Sequence, residues 1–146
     1  MSYFNFKKRA PKSTNHQKLI RKLDDAFSEY IRLRDADEHG IVNCITCDDR
    51  HHYREIDCGH FVDRGHMATR YHLQNSNGQC RLCNSTHDGR AELHGKAIDL
   101  KYGEGTAEML IKLGRQERHF TEHELQGMLE ELRKEIKALK EEKFGI

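Results

Sequence analysis

The fold of this chain is decided by the stretch from Cys44 to Asn84, which reads CITCDDRHHYREIDCGHFVDRGHMATRYHLQNSNGQCRLCN. The stretch contains two C-x2-C pairs, Cys44 with Cys47 and Cys80 with Cys83. Structural zinc sites use four ligands in a closed tetrahedron, and two such pairs supply four thiolates. The spacing therefore predicts one structural zinc ion held by these four cysteines.

The fifth cysteine, Cys58, has no C-x2-C partner, and we expect it to be a small buried residue rather than a ligand. The N-terminus, MSYFNFKKRAPK, has no apolar signal core, and no apolar run approaches the ~20 residues that span a membrane. These features predict a cytoplasmic protein with no membrane partner. In a reducing compartment, paired C-x2-C motifs favour zinc over disulfides.

The length of 146 residues predicts one main domain. With 36% hydrophobic and 34% charged residues, the chain has few apolar side chains with which to form a core. A thin core is often stabilised by a metal or an oligomer. The net charge of +1 hides a basic N-terminus, because residues 1–22 contain no Asp or Glu. This segment predicts a nucleic-acid partner, and the alternative is a solvated tail. The candidate DNA-binding residues in it are Lys7, Lys8, Arg9 and Lys12.

Periodicity and capping signals outline the secondary structure. Thr14 with Gln17 predicts a capping box and a helix from Thr14 to about Glu38, after a flexible basic arm at 1–13. Residues 41–62 are predicted to form one hairpin and residues 63–79 a long loop. Further helices are expected at 81–89, at 106–113 and after a second capping box at Thr121. The resulting division is 1–13, 14–40, 41–105 and 106–146.

The last helix carries an apolar stripe, which consists of Leu125, Met128, Leu132, Ile136 and Leu139. We expect a homodimer through this C-terminal helix, since the stripe covers about two heptads. The alternative is a helix that packs on its own core.

His60 and Asn84 are the candidate catalytic residues of the cysteine-framed stretch. Phosphodiester hydrolysis needs a general base near neutral pKa, which histidine provides, and a cation to stabilise the phosphate. The side-chain oxygen of Asn84 is a suitable ligand for Mg²⁺ or Mn²⁺. Asn75 could fix the loop or orient His60. A lone histidine can also be an ordinary core residue, so the spacing alone leaves this choice open.

The segments YIRLRDADEHG, CITC, CGHF, TRYHLQN and QCRLCN resemble the NinG/Rap recombination endonucleases of lambdoid phages, which are HNH or ββα-metal enzymes. The resemblance covers roughly 19–113. It implies an α+β fold in which a zinc-stabilised ββα-metal (HNH) core at 41–105 is flanked by an N-terminal helix and C-terminal helices. It also implies cleavage of branched DNA, such as Holliday junctions and D-loops, in the bacterial host cytoplasm. By position, His60 would be the general base, Asn84 a ligand of the catalytic metal, and Asn75 the middle asparagine of the signature.

The sequence departs from the HNH pattern at Gly59, where many members carry an Asp that binds the metal. Asp57 is near but is expected to face the other side of the strand, so Asp88, four residues after Asn84 on one helix face, is preferred. His87 could contact the scissile phosphate, where related enzymes often have a lysine; the alternative is an exposed helix residue.

Arg64 and Arg70 are expected to contact DNA phosphates, or else to be ordinary surface charge. Tyr71 could stack on an opened base or fill the core. Two other functions remain compatible with the sequence. One is a zinc-ribbon DNA-binding protein without catalysis, and the other is a phage assembly factor that recruits partners through its last helix.

Overall fold

The computed structural model describes residues 14–146, except for the side chain of His87. This part of the chain is a mixed α+β structure. Its helices are α1 (Asn15–Asp35), α2 (Met67–Arg70), α3 (Arg81–Ser85), α4 (Ala91–Tyr102), α5 (Thr106–Gly114) and α6 (Glu122–Phe144). Its strands are β1 (Ile41–Asn43), β2 (Arg50–His52), β3 (Asp57–His60) and β4 (Ser76–Gln79). The expected basic arm, with Lys7, Lys8, Arg9 and Lys12, lies outside the described residues.

The capping box that opens α1 is confirmed, because the Thr14 hydroxyl accepts from the Gln17 amide and the Gln17 side chain accepts from the Thr14 amide. The helix ends at Asp35, three residues earlier than expected. Ala36 is already extended, and the Asp37 carboxylate accepts from the amide of Ile41 at 2.9 Å. That side-chain bond stabilises a turn into β1 in place of another helical turn.

The strand pairing differs from the single hairpin predicted over 41–62. β1 pairs with β2, with Val42 opposite His51, so the first C-x2-C forms the turn of a short hairpin. β3 pairs instead with β4, with His60 opposite Ser76. The expected returning strand thus belongs to a second antiparallel sheet.

The region expected to be a loop, 63–79, contains both α2 and β4. β4 has the sequence Ser-Asn-Gly-Gln, residue types that are not enriched in strands, and Ser76, Asn77 and Gln79 are fully buried. Side chains of α1 satisfy part of the strand's backbone: Arg34 donates to the Ser76 carbonyl, and Asp35 accepts from the Gly78 amide at 2.8 Å.

The main apolar core lies between α1 and α6. Leu125, Leu129 and Ile136 are buried there, and Met128, Leu132 and Leu139 pack against them half-buried. The stripe therefore packs on the chain's own core, the alternative stated above, because α1 presents a matching apolar face. The homodimer stays a prediction, but its expected seam is largely covered by α1.

A second, smaller core lies between α4 and α5, where Ile98, Ala107 and Leu110 are buried. The helix expected at 106–113 is confirmed as α5, whereas α4 was not foreseen. Within residues 14–146, none of the helices is both long and apolar enough to cross a membrane.

Candidate metal centre and active-site cleft

The four cysteines of the two C-x2-C pairs come together in one cluster. Their sulfur atoms all lie within 4.8 Å of one another, and the sulfurs of Cys47 and Cys80 are 3.7 Å apart. Ligands about 2.3 Å from a zinc ion at tetrahedral corners are about 3.8 Å from each other, so the spacing fits a zinc site. Cys58 is not a member of this group, as expected.

Local hydrogen bonds favour the thiolate form of Cys44. The Cys80 amide donates to the Cys44 sulfur at 3.2 Å, and the Thr46 hydroxyl lies 3.3 Å from the same sulfur. Burial opposes ionisation, but these hydrogen bonds together lower the pKa of Cys44 to about 6. Burial raises the pKa of Cys80 instead. A divalent cation would allow all four thiolates to coexist, and thus the donor set suits structural zinc.

A cavity of about 840 Å³ opens next to α3, the helix that carries Cys83. Four residues predicted to take part in catalysis or metal binding, which come from β3 and from the segment around α3, line this cavity: His60, Asn84, Asp57 and Asp88. The structure therefore brings together side chains that lie up to 31 positions apart in sequence. We call this cavity the His60 cleft.

His60 is the last residue of β3, and its Nε2 lies 3.0 Å from the carbonyl oxygen of Arg70. A carbonyl can only accept, so Nε2 carries the proton and the neutral ring keeps its lone pair on Nδ1. Burial lowers the pKa of His60, an effect that the hydrogen bond to Arg70 only partly opposes. The imidazole is therefore neutral near pH 7, and Nδ1 can accept a proton.

Asn75 is fully buried and does not hydrogen-bond to the His60 ring within the described structure. Its side-chain oxygen accepts from the Val62 amide at 2.9 Å, and its amide group donates to the carbonyls of Val62 and Thr69. Of its two expected roles, the structure shows the first, which is to fix the loop. The same loop carries the Arg70 carbonyl that lies 3.0 Å from His60 Nε2.

Asp57, expected on the other side of the strand from His60, lines the same cavity as His60. The Asn84 side-chain amide donates to Asp57 at 3.2 Å, and both residues line the His60 cleft. Strand alternation assigns Asp57 and His60 to opposite faces, but α3 packs over the start of β3 and joins both to one cavity. An Asp at position 59 would clash with its neighbour, because a Cβ there would lie 2.2 Å from the Gln79 side-chain oxygen.

The helix predicted over 81–89 is shorter than expected. α3 ends at Ser85, Thr86 is extended, and Asp88 has a left-handed backbone with φ 55°. Asp88 is thus not on a common helix face with Asn84, yet it lines the same cleft. The side chain of His87, predicted to contact the scissile phosphate, lies outside the described part of the structure.

The first helix forms a wall of the cleft, which the sequence did not reveal. The Phe27 ring packs 5.9 Å from the His60 ring. Asp24 makes a bidentate ion pair with Arg70, with oxygens 2.9 and 2.6 Å from Nε and a terminal nitrogen, and accepts from the Tyr71 hydroxyl at 2.9 Å. The helical pattern of α1 contained these residues but gave no signal that they serve a site 36 positions away.

The two arginines expected to contact phosphates behave differently. Arg64 is exposed at the cleft rim. Arg70 is paired with Asp24 and also donates to the Arg64 carbonyl, so its guanidinium is already bonded within the protein. Tyr71 packs edge-on against Phe27, which is the core alternative. Arg81, which the sequence analysis did not select, lines the cleft with its side chain 81% exposed.

Comparison with protein families gives a match over most of the chain. The model of the family described as "NinG: Bacteriophage Lambda NinG protein" matches residues 3–142, which is nearly the whole chain. Searches of curated proteins and of solved structures return no match.

Proposed function

Since this chain belongs to the bacteriophage lambda NinG family, we propose that it is a metal-dependent endonuclease that cleaves branched DNA in recombination. The observation that carries the proposal is the His60 cleft. It combines a neutral histidine with the oxygen-bearing side chains of Asn84, Asp57 and Asp88. A DNA-binding zinc ribbon has no need of this combination.

His60 would act as the general base. With Nε2 held by the Arg70 carbonyl, Nδ1 accepts a proton from a water molecule as that water attacks the phosphorus. The new bond is between the water oxygen and phosphorus, and the bond that breaks joins phosphorus to the 3′ oxygen. That oxygen leaves with the bonding electron pair and is protonated from solvent. Burial keeps the pKa of His60 below its ordinary value of 6.5, so the ring is unprotonated near neutral pH and able to accept that proton.

The catalytic metal would be held by oxygen atoms of Asn84, Asp57 and Asp88. Carboxylate and amide oxygens are the ligands that Mg²⁺ and Mn²⁺ prefer, so the donor set fits. When bound, the ion supplies positive charge that stabilises the phosphate in the transition state. The hydrogen bond from Asn84 to Asp57 fixes both side chains in relation to each other.

The DNA backbone would lie across the edge of the cleft and contact the side chains of Arg64 and Arg81. Arg64 and Arg81 both line the cleft and are exposed; Arg64 follows β3, and Arg81 is the first residue of α3. Such side chains give affinity for phosphates without reading sequence. The preference for branched over linear DNA is the part of the proposal that rests on the family, not on the cleft.

The test is cleavage of a labelled four-way junction with Mg²⁺ or Mn²⁺, with linear duplex for comparison. We expect His60→Ala to bind the junction normally but to cut it at least ~100-fold more slowly, the usual scale for a lost general base. His39→Ala is the matched control, because His39 is exposed outside the cleft. A wild-type protein that binds but never cuts would instead identify the chain as a DNA-binding module.

A further inference from the structure

We propose that Asp24 of α1 is a positioning residue of the cleft, which sets the tautomer and the orientation of His60 through Arg70. The proposal rests on the proposed function for its catalytic consequence, but its structural part stands on contacts alone. Asp24 lies on α1, which is outside the stretch between the two C-x2-C pairs.

A hydrogen bond to the Arg70 carbonyl fixes the His60 imidazole. The His60 ring is held at Nε2 by the Arg70 carbonyl, 3.0 Å away, and on its flank by Phe27. If the carbonyl moved away, the proton could occupy either nitrogen, because the two neutral tautomers of a free imidazole are both accessible. The position of the Arg70 carbonyl therefore determines whether Nδ1 is available as a base.

The Arg70 carbonyl is held in place by contacts to the loop on which it lies. Arg70 ends α2, a helix of four residues that is too short to be rigid by itself. Asn75 fixes the loop from one side, through the carbonyls of Val62 and Thr69. Asp24 fixes it from the other side, through three hydrogen bonds to the side chains of Arg70 and Tyr71.

The contact between Asp24 and Arg70 is a strong ion pair. The ion pair is bidentate, and both side chains are largely buried, with 17% of Arg70 and 16% of Asp24 exposed. Exposed ion pairs contribute little, whereas two parallel charge-assisted bonds with limited access to water define a geometry. The pair is thus suited to hold the main chain of Arg70 in one place.

Asp24 also lines the His60 cleft, so it must be distinguished from a metal ligand. Its two oxygens already accept three hydrogen bonds, two of them from the guanidinium of Arg70. A divalent cation at the same oxygens would have to displace that positive group. Positioning is therefore the role that the contacts favour.

The charged and titratable groups around His60 come from several elements. Asp24 lies on α1, Arg64 and Arg70 lie on the loop and α2, and the buried His94 lies on α4. Of these, Asp24 is the group whose charge favours protonated His60. Removing its charge should therefore shift the titration of His60 to lower pH.

The experiment uses the full chain and Asp24→Asn. The tautomer of His60 is read by ¹⁵N NMR of the imidazole, with His60→Ala for assignment, and cleavage of a four-way junction is followed with Mn²⁺. We expect protonated Nε2 in the wild type and a tautomer mixture in Asp24→Asn. The kcat should fall roughly 10- to 100-fold with little change in KM, the scale of a misplaced catalytic group. Asp24→Glu should recover part of the rate.

Three controls separate the possible outcomes. Glu29→Gln removes another α1 ion pair, with Lys140, and should change neither readout. Asp24→Asn combined with Arg70→Gln should be no slower than the slower single variant, because both act on one contact. If Asp24→Asn folds poorly, Arg70→Lys breaks the bidentate pair from the other partner.

An unchanged His60 tautomer and an unchanged kcat in Asp24→Asn would overturn the proposal. A lost Mn²⁺ affinity with an unchanged tautomer would also overturn it and would make Asp24 a metal ligand. If the wild type cuts no DNA, the proposed function fails, but the NMR comparison still decides whether Asp24 controls His60.

Discussion

The cysteine cluster and the His60 cleft lie next to each other but are built in different ways. All four ligands of the cluster come from two C-x2-C turns, and their spacing was visible in the sequence. The cleft is assembled from α1, β3, α3 and the segment around α2, and its key contacts join residues 10 to 47 positions apart. The cluster is therefore defined by local spacing, and the cleft by packing.

This difference has a consequence for mutations. Loss of one cysteine should remove a single large interaction on which both regions depend, because Cys83 and Asn84 share the short α3. Loss of a cleft residue should leave the cluster intact. The four predictions below test this asymmetry, from the largest expected effect to the smallest.

Cys80→Ser should lose zinc and the cooperative fold. A structural zinc contributes about 10–16 kcal/mol in small zinc domains, which equals or exceeds the whole stability of a typical domain. The measurement is zinc content by mass spectrometry together with thermal unfolding. Cys58→Ser is the matched control and should keep its zinc, since Cys58 lies outside the cluster. A cooperative, zinc-free Cys80→Ser protein would show that the cluster is dispensable.

Asn75→Ala should destabilise the loop but retain zinc. The change leaves the Val62 amide and the carbonyls of Val62 and Thr69 without their side-chain partner, at a cost of about 3 kcal/mol or more. Urea unfolding gives the stability, and junction cleavage should fall with it. Leu73→Ala, at an exposed position in the same loop, is the control. Loss of zinc in Asn75→Ala would mean that the two regions are not separable.

His94→Gln should flatten the dependence of stability on pH. Burial lowers the pKa of His94 to about 4, below the unfolded value of 6.5. The unfolded state therefore binds the proton first, and stability present above pH 6.5 is lost as the pH falls to about 4. The loss from this group is about 3 kcal/mol.

Unfolding measured at several pH values should thus show a shallower decline in His94→Gln than in the wild type. Zinc content followed in parallel separates this effect from protonation of the cysteines. An identical decline in both proteins would assign acid sensitivity to the cluster alone.

Phe27→Leu should have the smallest effect, roughly 1 kcal/mol in stability and a fall in cleavage of about tenfold or less. The Phe27 ring packs against both His60 and Tyr71, so a smaller side chain loosens the imidazole without disturbing zinc. Phe144→Leu is the matched control, because that ring stacks on Tyr53 and not on the cleft. Equal slowing by the two variants would indicate a general loss of stability.

Sequence reasoning worked best where the signal is local. The zinc-ligand spacing, the cap at Thr14, the helix at 106–114 and the long last helix are each specified by residues a few positions apart. It also selected His60, Asn84, Asp57 and Asp88, which the fold gathers in one cleft.

It failed where buried polar residues break the usual patterns. β4 consists of Ser, Asn, Gly and Gln, which are typical of loops, and tertiary hydrogen bonds rather than propensity make it a strand. In α4 the buried face includes His94 and Gly95, whereas Leu100 is 90% exposed, so apolar periodicity does not mark the helix.

The sequence by itself determined the chemistry on offer: four thiolates at zinc-binding spacing, a histidine and an asparagine within that frame, and membership of one phage family. The tertiary structure alone decided which neighbours these groups have. In the folded chain, Asn84 donates a hydrogen bond to Asp57. Arg70 is largely buried and pairs with Asp24 of α1. The physical reason is that ligand spacing is a property of adjacent residues, whereas the tautomer and pKa of a buried histidine depend on groups that only packing brings near.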